Sequence, residues 1–275
     1  MNISEHTRFF EQEMKRRGFS GQTIENYSSC LKKFFGQSTK DHPKNINETE
    51  IREFLGTFDE PNTQRAYHSA IKKFYLICLN QKEKFKYIPY AKKSNKLPIV
   101  LSVDEIQSMF NVCENLKHKV ILALLYSAGF RVSELINLKW SHIDRSRMII
   151  NILQAKGKKD RQVGLNESLI PLLEKYYEIY KPQEFVLNGQ NSLQYSDRSV
   201  GEVIKQLAEK AGIKKRVYTH LIRHCVFTHM VEMGTDINLI QKLAGHSNVK
   251  TTLIYTHISD NLISKIQSPL SQIRI

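Results

Sequence analysis

Residues 219–257 read THLIRHCVFTHMVEMGTDINLIQKLAGHSNVKTTLIYTH, a run of apolar residues at helical spacing broken by turn signals. Helices are predicted over 221–233, 237–243 and 250–256, with Gly245 placed to end the second and Ser247 to cap the third. His246 therefore falls on a turn, where a polar side chain is available for function rather than packing. Tyr255 closes the stretch. On the first of these helices His220 and Arg223 are one turn apart and share a face, so both can reach one anion. His220 and His224 have the i, i+4 spacing of a metal pair. Between them, however, HLIRH carries an arginine where a zinc-binding HExxH helix has its glutamate, and a guanidinium repels a dication. No metal is expected, and His224 and His229 read as structural histidines with satisfied nitrogens.

The same patterning continues upstream. Residues 120–130 form the longest apolar run, too short to span a bilayer, and predict a buried helix over 120–128 followed by Gly129. Arg131 heads the next helix, towards Leu138, at a place hydrophobic burial does not call for. Ser102 and Glu105 form a capping box ahead of Ile106, Met109 and Phe110. Alternation over 148–153, a turn AKGKK containing Lys156, and a second extended run over 161–165 predict a hairpin. Further helices are expected at 169–180 and 200–211. The fold class that follows is mainly α with a small antiparallel β-sheet.

The first third reads as helices as well. Ile24, Tyr27, Leu31, Phe34 and Phe35 make one stripe behind Ser20, and Asn47 and Glu50 box the start of a second with Ile51, Phe54 and Leu55. Tyr67, Ile71, Phe74 and Tyr75 make a third behind Pro61. Residues 81–96, QKEKFKYIPYAKKSNK, then break the pattern with Pro89 and six lysines: Lys82, Lys84, Lys86, Lys92, Lys93 and Lys96. This seam is expected to be too polar for a core and to face solvent or phosphate. The chain carries a formal net charge of +14, half of it in the first 96 residues, which points to a polyanionic partner. With 41% hydrophobic and 25% charged residues, the composition excludes wholesale disorder. The start has no secretory layout, and the four cysteines lie far apart without a CxxC pair. A soluble, cytoplasmic protein is expected.

Four segments, AGFRVSELINLKW (128–140), QAKGKKDRQVGL (154–165), THLIRHCVFTHM (219–230) and LAGHSNVKTTLIYTH (243–257), resemble in order and separation the motifs of the tyrosine recombinase (phage integrase) family, in its compact Xer-like form. The resemblance is strong from about Leu97 to Thr256 and looser before it. It implies an N-terminal helical, SAM-like core-DNA-binding domain over 1–88, a basic linker over 89–96, and an integrase-type catalytic domain over 97–275 that ends in an exchange segment. By position, Arg131 and Arg223 match the catalytic arginines, Lys156 the hairpin lysine, and His220 the first residue of the HxxR pair. His246 matches a position that holds histidine or tryptophan, Tyr255 the nucleophile, and Glu134 an acidic support behind the site. AKG in place of GKG, Ile222 in place of leucine and Cys225 in place of a frequent serine are the departures.

The resemblance implies attack of Tyr255 on a DNA phosphate to form a 3′-phosphotyrosine, with His220 as candidate base and Lys156 protonating the 5′-oxygen. Arg131 and Arg223 would supply the charge that metals provide elsewhere, so neither metal nor other cofactor nor ATP is implied. The expected partners are double-stranded recombination sites and further copies in a tetramer, with a second recombinase as a hetero-partner, and no membrane. The six seam lysines are the candidate phosphate contacts. Residues 258–275, with Leu262, Ile263 and Ile266, would be exchanged between neighbours. The alternatives are type IB topoisomerase-like relaxation, and DNA binding without recombination.

Overall fold

The protein is described from a computed structural model that covers residues 2–92, 99–153, 160–189, 192–246 and 248–255. The expectations for Lys93, Lys96, Lys156, Ser247 and residues 258–275 lie outside the described residues. The chain divides into two compact units, residues 1–96 and 97–275.

Among its described residues the first unit has four α-helices: α1 (Ile3–Arg16), α2 (Gly21–Gln37), α3 (Glu48–Gly56) and α4 (Pro61–Leu79). Their starts are set locally. Asn2 with Glu5 and Asn47 with Glu50 form reciprocal capping boxes, Ser20 caps α2, and Pro61 takes the first turn of α4 where its missing N–H costs nothing. Phe10, Met14, Leu31, Phe34, Ile51, Ile71, Phe74 and Tyr75 close the core, with aromatic edges such as Phe35 against Phe74 at 5.0 Å between ring centres. Helix α1 was not among the expected elements, although Phe10 and Met14 are one helical turn apart and both are fully buried.

The lysine-rich seam departs from its expected all-polar exposure. Phe85 and Ile88 are buried in the core of this unit, Arg65 donates to the Ala91 carbonyl at 2.7 Å, and His68 bonds to the Ile88 carbonyl at 2.8 Å. The reason is amphipathic: the apolar residues between the lysines turn inward together, and the chain folds back along α4. Lys84 goes in with them. Its ammonium donates to the Ile46 and Lys44 carbonyls at 2.6 and 3.2 Å and lies over the Tyr75 ring. Burial pulls the Lys84 pKa below its ordinary value. Lys82, Lys86 and Lys92 remain exposed.

The second unit opens with α5 (Val103–Asn111), boxed by Ser102 and Glu105, then α6 (Leu116–Ala128) and the short α7 (Val132–Ile136). A three-stranded antiparallel sheet follows: β1 (Ile143–Asp144), β2 (Ile149–Ile152) and β3 (Arg161–Gly164), in that order. The register pairs Ile150 with Val163 and Ile152 with Arg161. Then come α8 (Leu169–Tyr180), α9 (Asp197–Lys210), α10 (Thr219–Glu232), α11 (Ile237–Ala244), α12 (Val249–Thr252) and a 3-10 turn over Leu253–Tyr255. Helix α6 is apolar on almost every face and is therefore central; Val120, Ile121, Leu122, Leu124 and Leu125 are all fully buried. Helix α10 packs beside it, with Ile222, Cys225 and Phe227 fully buried. Cys225 also accepts the Leu101 N–H at 3.3 Å, tying the segment ahead of α5 to α10. Among the described residues no helix is long and apolar enough to cross a membrane.

Candidate active site

Two left-handed glycines frame the site. Gly129 ends α6 at φ +59°, and a Cβ built there would lie 2.7 Å from the Phe227 ring. The position therefore requires glycine on both conformational and steric grounds. The turn it makes brings Arg131 to the head of α7. There the Arg131 backbone N–H donates to Glu134 Oε2 at 2.8 Å and its Nη1 to Oε1 at 2.7 Å, while Nη2 reaches the Ala244 carbonyl at 3.1 Å.

Arg223 enters from α10 and is almost wholly buried, at 1% exposure. One Nη donates to the Gly129 carbonyl and the other to the Ala244 carbonyl, and the guanidinium stacks on Phe227 at 4.8 Å. Burial, then the neighbouring charges of Arg131 and Arg161, push its pKa down to about 9, so it stays protonated at neutral pH.

Gly245, at φ +60°, ends α11 and turns the chain so that His246 follows at once. His246 Nδ1 bonds the Thr252 hydroxyl at 3.0 Å, and its ring lies nearly parallel to that of Tyr255 with centres 6.2 Å apart. Burial, then Arg223 and Arg131, push His246 down to about 4, which keeps the imidazole neutral at physiological pH. Tyr255 is itself buried, against Phe227 at 5.5 Å and His224 at 5.6 Å. Burial raises its phenol above the ordinary value, and Arg223 and Arg131 pull the other way. Arg131, Glu134, Arg223, His246 and Tyr255 are thus brought together.

His220 is exposed at the start of α10 and packs edge-on against His224, 4.6 Å between ring centres. The His224 ring lies tilted against Tyr255, with 5.6 Å between ring centres. The expectation that His224 is a satisfied structural histidine is corrected. Its Nδ1 is buried with no hydrogen-bond partner among the described residues; the ring packs edge-on against His220 and tilted against Tyr255, contacts that offer that nitrogen no acceptor or donor. Burial, then His220 and Arg223, push its pKa down to about 4. His229 does have both nitrogens engaged, with the Tyr126 hydroxyl at 2.8 Å and the Leu101 carbonyl at 2.9 Å. Among the described residues no group of three or more His, Cys, Asp or Glu side chains is arranged to hold a metal ion.

Two participants escaped the sequence reading. Thr252, fully buried, is the partner of His246. Arg161 donates to both oxygens of Glu134. The signal for Arg161 was present: it shares a strand face with Val163 and Leu165, both buried, and a cation on an inward face demands a partner.

Residues 100–261 match the phage integrase family. The chain belongs to that family. Residues 8–84 of this integrase-family chain match the phage integrase N-terminal SAM-like domain. It is 33% identical over 264 residues to a tyrosine recombinase of Thermosipho africanus, covering 89% of this chain and 91% of that protein. To the tyrosine recombinase XerD of Staphylococcus aureus it is 31% identical over 287 residues, covering 96% of each. Its fold is that of lambda integrase, solved as a tetramer bound to a Holliday junction, at a TM-score of 0.79 and 18% identity over 95% of this chain and 78% of that one. This integrase-family protein is an enzyme of the tyrosine recombinase class.

Proposed function

We propose that the protein cuts and rejoins DNA at specific sites through a covalent bond between Tyr255 and a 3′-phosphate. The observation that carries this reading is the convergence of Arg131 and Arg223 on one backbone carbonyl, beside Tyr255 and His246. With Arg161, the site sets three guanidiniums against the one carboxylate of Glu134, which pairs with Arg131 and Arg161, so it carries a surplus of positive charge suited to a phosphodiester.

In this mechanism the Tyr255 oxygen attacks phosphorus as the bond to the 5′-oxygen breaks. The phenolic proton leaves to His220, the candidate base, and Lys156 gives a proton to the departing 5′-oxygen. Charge developing on the non-bridging oxygens meets donors that are already in place, so little reorganisation accompanies the step. Neutral His246, with Nδ1 turned to the Thr252 hydroxyl, contributes its Nε2–H to those oxygens. The phosphotyrosine conserves the phosphodiester energy, and religation to a partner strand reverses the same steps without ATP.

The first unit, with exposed Lys82, Lys86 and Lys92, contributes phosphate contacts, and Lys93 and Lys96 extend the same basic run in sequence. A lambda integrase tetramer solved on a Holliday junction supports a tetramer here; in this reading it acts on two paired sites in the cytoplasm, with a second recombinase as hetero-partner. The test is a nicked suicide substrate containing the recognised site. Wild type is expected to form a denaturation-resistant adduct that Tyr255→Phe does not form, with site binding retained by the variant. An adduct from Tyr255→Phe would overturn the nucleophile, and strand relaxation without transfer between two labelled sites would overturn recombination.

A further inference from the structure

Arg161 opens β3 with its side chain directed inward, at 7% side-chain exposure, against Glu134 at 3%. Its two terminal nitrogens form a fork on the two carboxylate oxygens, Nη1 on Oε1 and Nη2 on Oε2 at 2.9 Å. The same two oxygens receive Arg131, through Nη1 at 2.7 Å and the backbone N–H at 2.8 Å. One carboxylate therefore serves two guanidiniums, and it does so unequally. Arg161 holds it through both arms of its fork, whereas Arg131 spends only one arm and keeps Nη2 directed at the Ala244 carbonyl.

We infer, on the recombinase reading above, that Arg161 is a positioning residue for Arg131. A buried carboxylate left to one guanidinium takes it in a bidentate fork, the most favourable geometry for the pair. Without Arg161, Glu134 would draw both arms of Arg131 to itself and neutralise the charge that the phosphate is to meet. With Arg161 in place, the carboxylate is already matched and Arg131 presents its second arm and its charge to the substrate. Burial by itself would raise the Glu134 carboxyl; hydrogen bonds and charge from Arg161, together with bonds from Arg131, hold it below its ordinary value.

Arg161 also backs the His246 turn. A Cβ built on Gly245 would come 3.2 Å from Arg161 Cδ, so the aliphatic stem of Arg161 packs directly under the glycine that precedes His246. Position 161 thus supports the site from the sheet side, at Glu134 and at the α11 turn.

The test compares single-turnover adduct formation by full-length wild type, Arg161→Gln and Arg161→Lys at saturating protein. Three substrates are used: the ordinary phosphodiester, one with a neutral methylphosphonate at the scissile position, and one with a bridging 5′-sulfur whose departure needs no acid. On the phosphodiester Arg161→Gln is expected to be slowed on the order of 10–100-fold, as when an outer partner of a functional group is removed. Arg161→Lys is expected to recover part of the rate, because one charged donor still occupies Glu134. If Arg161→Gln does not stay folded at the assay temperature, Arg161→Lys carries the same comparison with a smaller deficit.

On the methylphosphonate, which has one less charge to stabilise, the deficit should shrink towards the wild-type rate. The 5′-sulfur substrate should restore nothing. A folded Arg161→Gln that cleaves the phosphodiester at the wild-type rate would overturn the inference. So would an equal deficit on the methylphosphonate, which is the mark of a merely structural residue, or rescue by the 5′-sulfur, which would assign the effect to the leaving group. An inactive wild type would overturn the recombinase reading itself and this inference with it; an active wild type with an unaffected variant overturns the inference alone.

Discussion

Arg131 and Arg223 donate to the same atom, the carbonyl oxygen of Ala244. Two permanent cations are held side by side by a neutral acceptor, and among the described residues Glu134 is the one carboxylate hydrogen-bonded to either. Such a pair repels itself, and an anion beside it would relieve the repulsion. In the proposed mechanism, phosphate binding and transition-state charge would both draw on that relief.

Arg223→Lys keeps a charge and loses the planar fork that spans the Gly129 and Ala244 carbonyls. Lysine is a point donor on a flexible stem, so it does not satisfy both carbonyls in the same geometry. Cleavage is expected to fall by two to three orders of magnitude, about 3 kcal/mol or more in the barrier. DNA affinity should change little, because it rests on many phosphate contacts. Single-turnover adduct formation beside a filter-binding titration separates the two quantities.

Gly129→Ala adds a methyl where the Phe227 ring stands at 2.7 Å, in a backbone conformation of φ +59°. The left-handed conformation costs about 1–2 kcal/mol for a residue with a Cβ, and overpacking costs about 1–3 kcal/mol more. Gly245→Ala has the same conformational cost, but its nearest neighbour is the flexible stem of Arg161 at 3.2 Å. Gly129→Ala is therefore expected to lower the urea midpoint further than Gly245→Ala. An equal loss in the two would show that the Phe227 ring moves freely aside.

Acid should destabilise the catalytic unit before its carboxylates titrate. His224 and His246 have folded-state pKa values near 4, against 6.5 for the free side chain. Between those values the unfolded chain binds more protons than the folded one, so stability falls as the pH is lowered from about 6.5 to about 4. Glu134 adds to the loss only lower, as pH falls from the ordinary carboxylate range through its depressed folded value. Replacing His224 with Phe removes one titrating ring and a buried nitrogen without a hydrogen-bond partner among the described residues. Chemical denaturation across this range is expected to give a shallower pH slope for His224→Phe, with stability at pH 7 retained.

The seam lysines should separate into two behaviours. Neutralising exposed Lys82, Lys86 and Lys92 together is expected to weaken DNA binding and to lower the slope of log affinity against log salt, by about 0.9 for each phosphate that no longer meets a lysine. Lys84→Met should leave the salt slope unchanged. It should instead destabilise the first unit, since the Ile46 and Lys44 carbonyls lose their donor. Salt titrations of binding and thermal melts of the two variants test this. A reduced salt slope for Lys84→Met would mean that its ammonium leaves those carbonyls for DNA.

Apart from α1, the helices and their starts were legible because their causes are local. Ser102 with Glu105 and Asn47 with Glu50 lie within one turn, and the stripes of Ile24 to Phe35 and of Tyr67 to Tyr75 repeat at the helical period. The hairpin over β2 and β3 was legible for the same reason, through alternation on both sides of a turn. The seam misled because charge was read along the chain. Phe85 and Ile88 face the core while Lys82 and Lys86 face solvent, and that division depends on α4 lying alongside.

By itself the sequence named the side chains proposed to carry the chemistry and their order, because arginine, histidine and tyrosine are distinct letters at fixed separations. What only the tertiary structure decided is what those side chains hold. The acceptor shared by the two arginines is a backbone oxygen 113 residues from Arg131 and 21 from Arg223. A carbonyl is the same at every position and leaves no mark in the composition, so its role exists only once α6, α10 and α11 have packed. The unpartnered nitrogen of His224 and the division of Glu134 between Arg131 and Arg161 have the same origin. Each is a property of the space between elements, where burial removes water as an alternative partner and makes the choice of neighbour decisive.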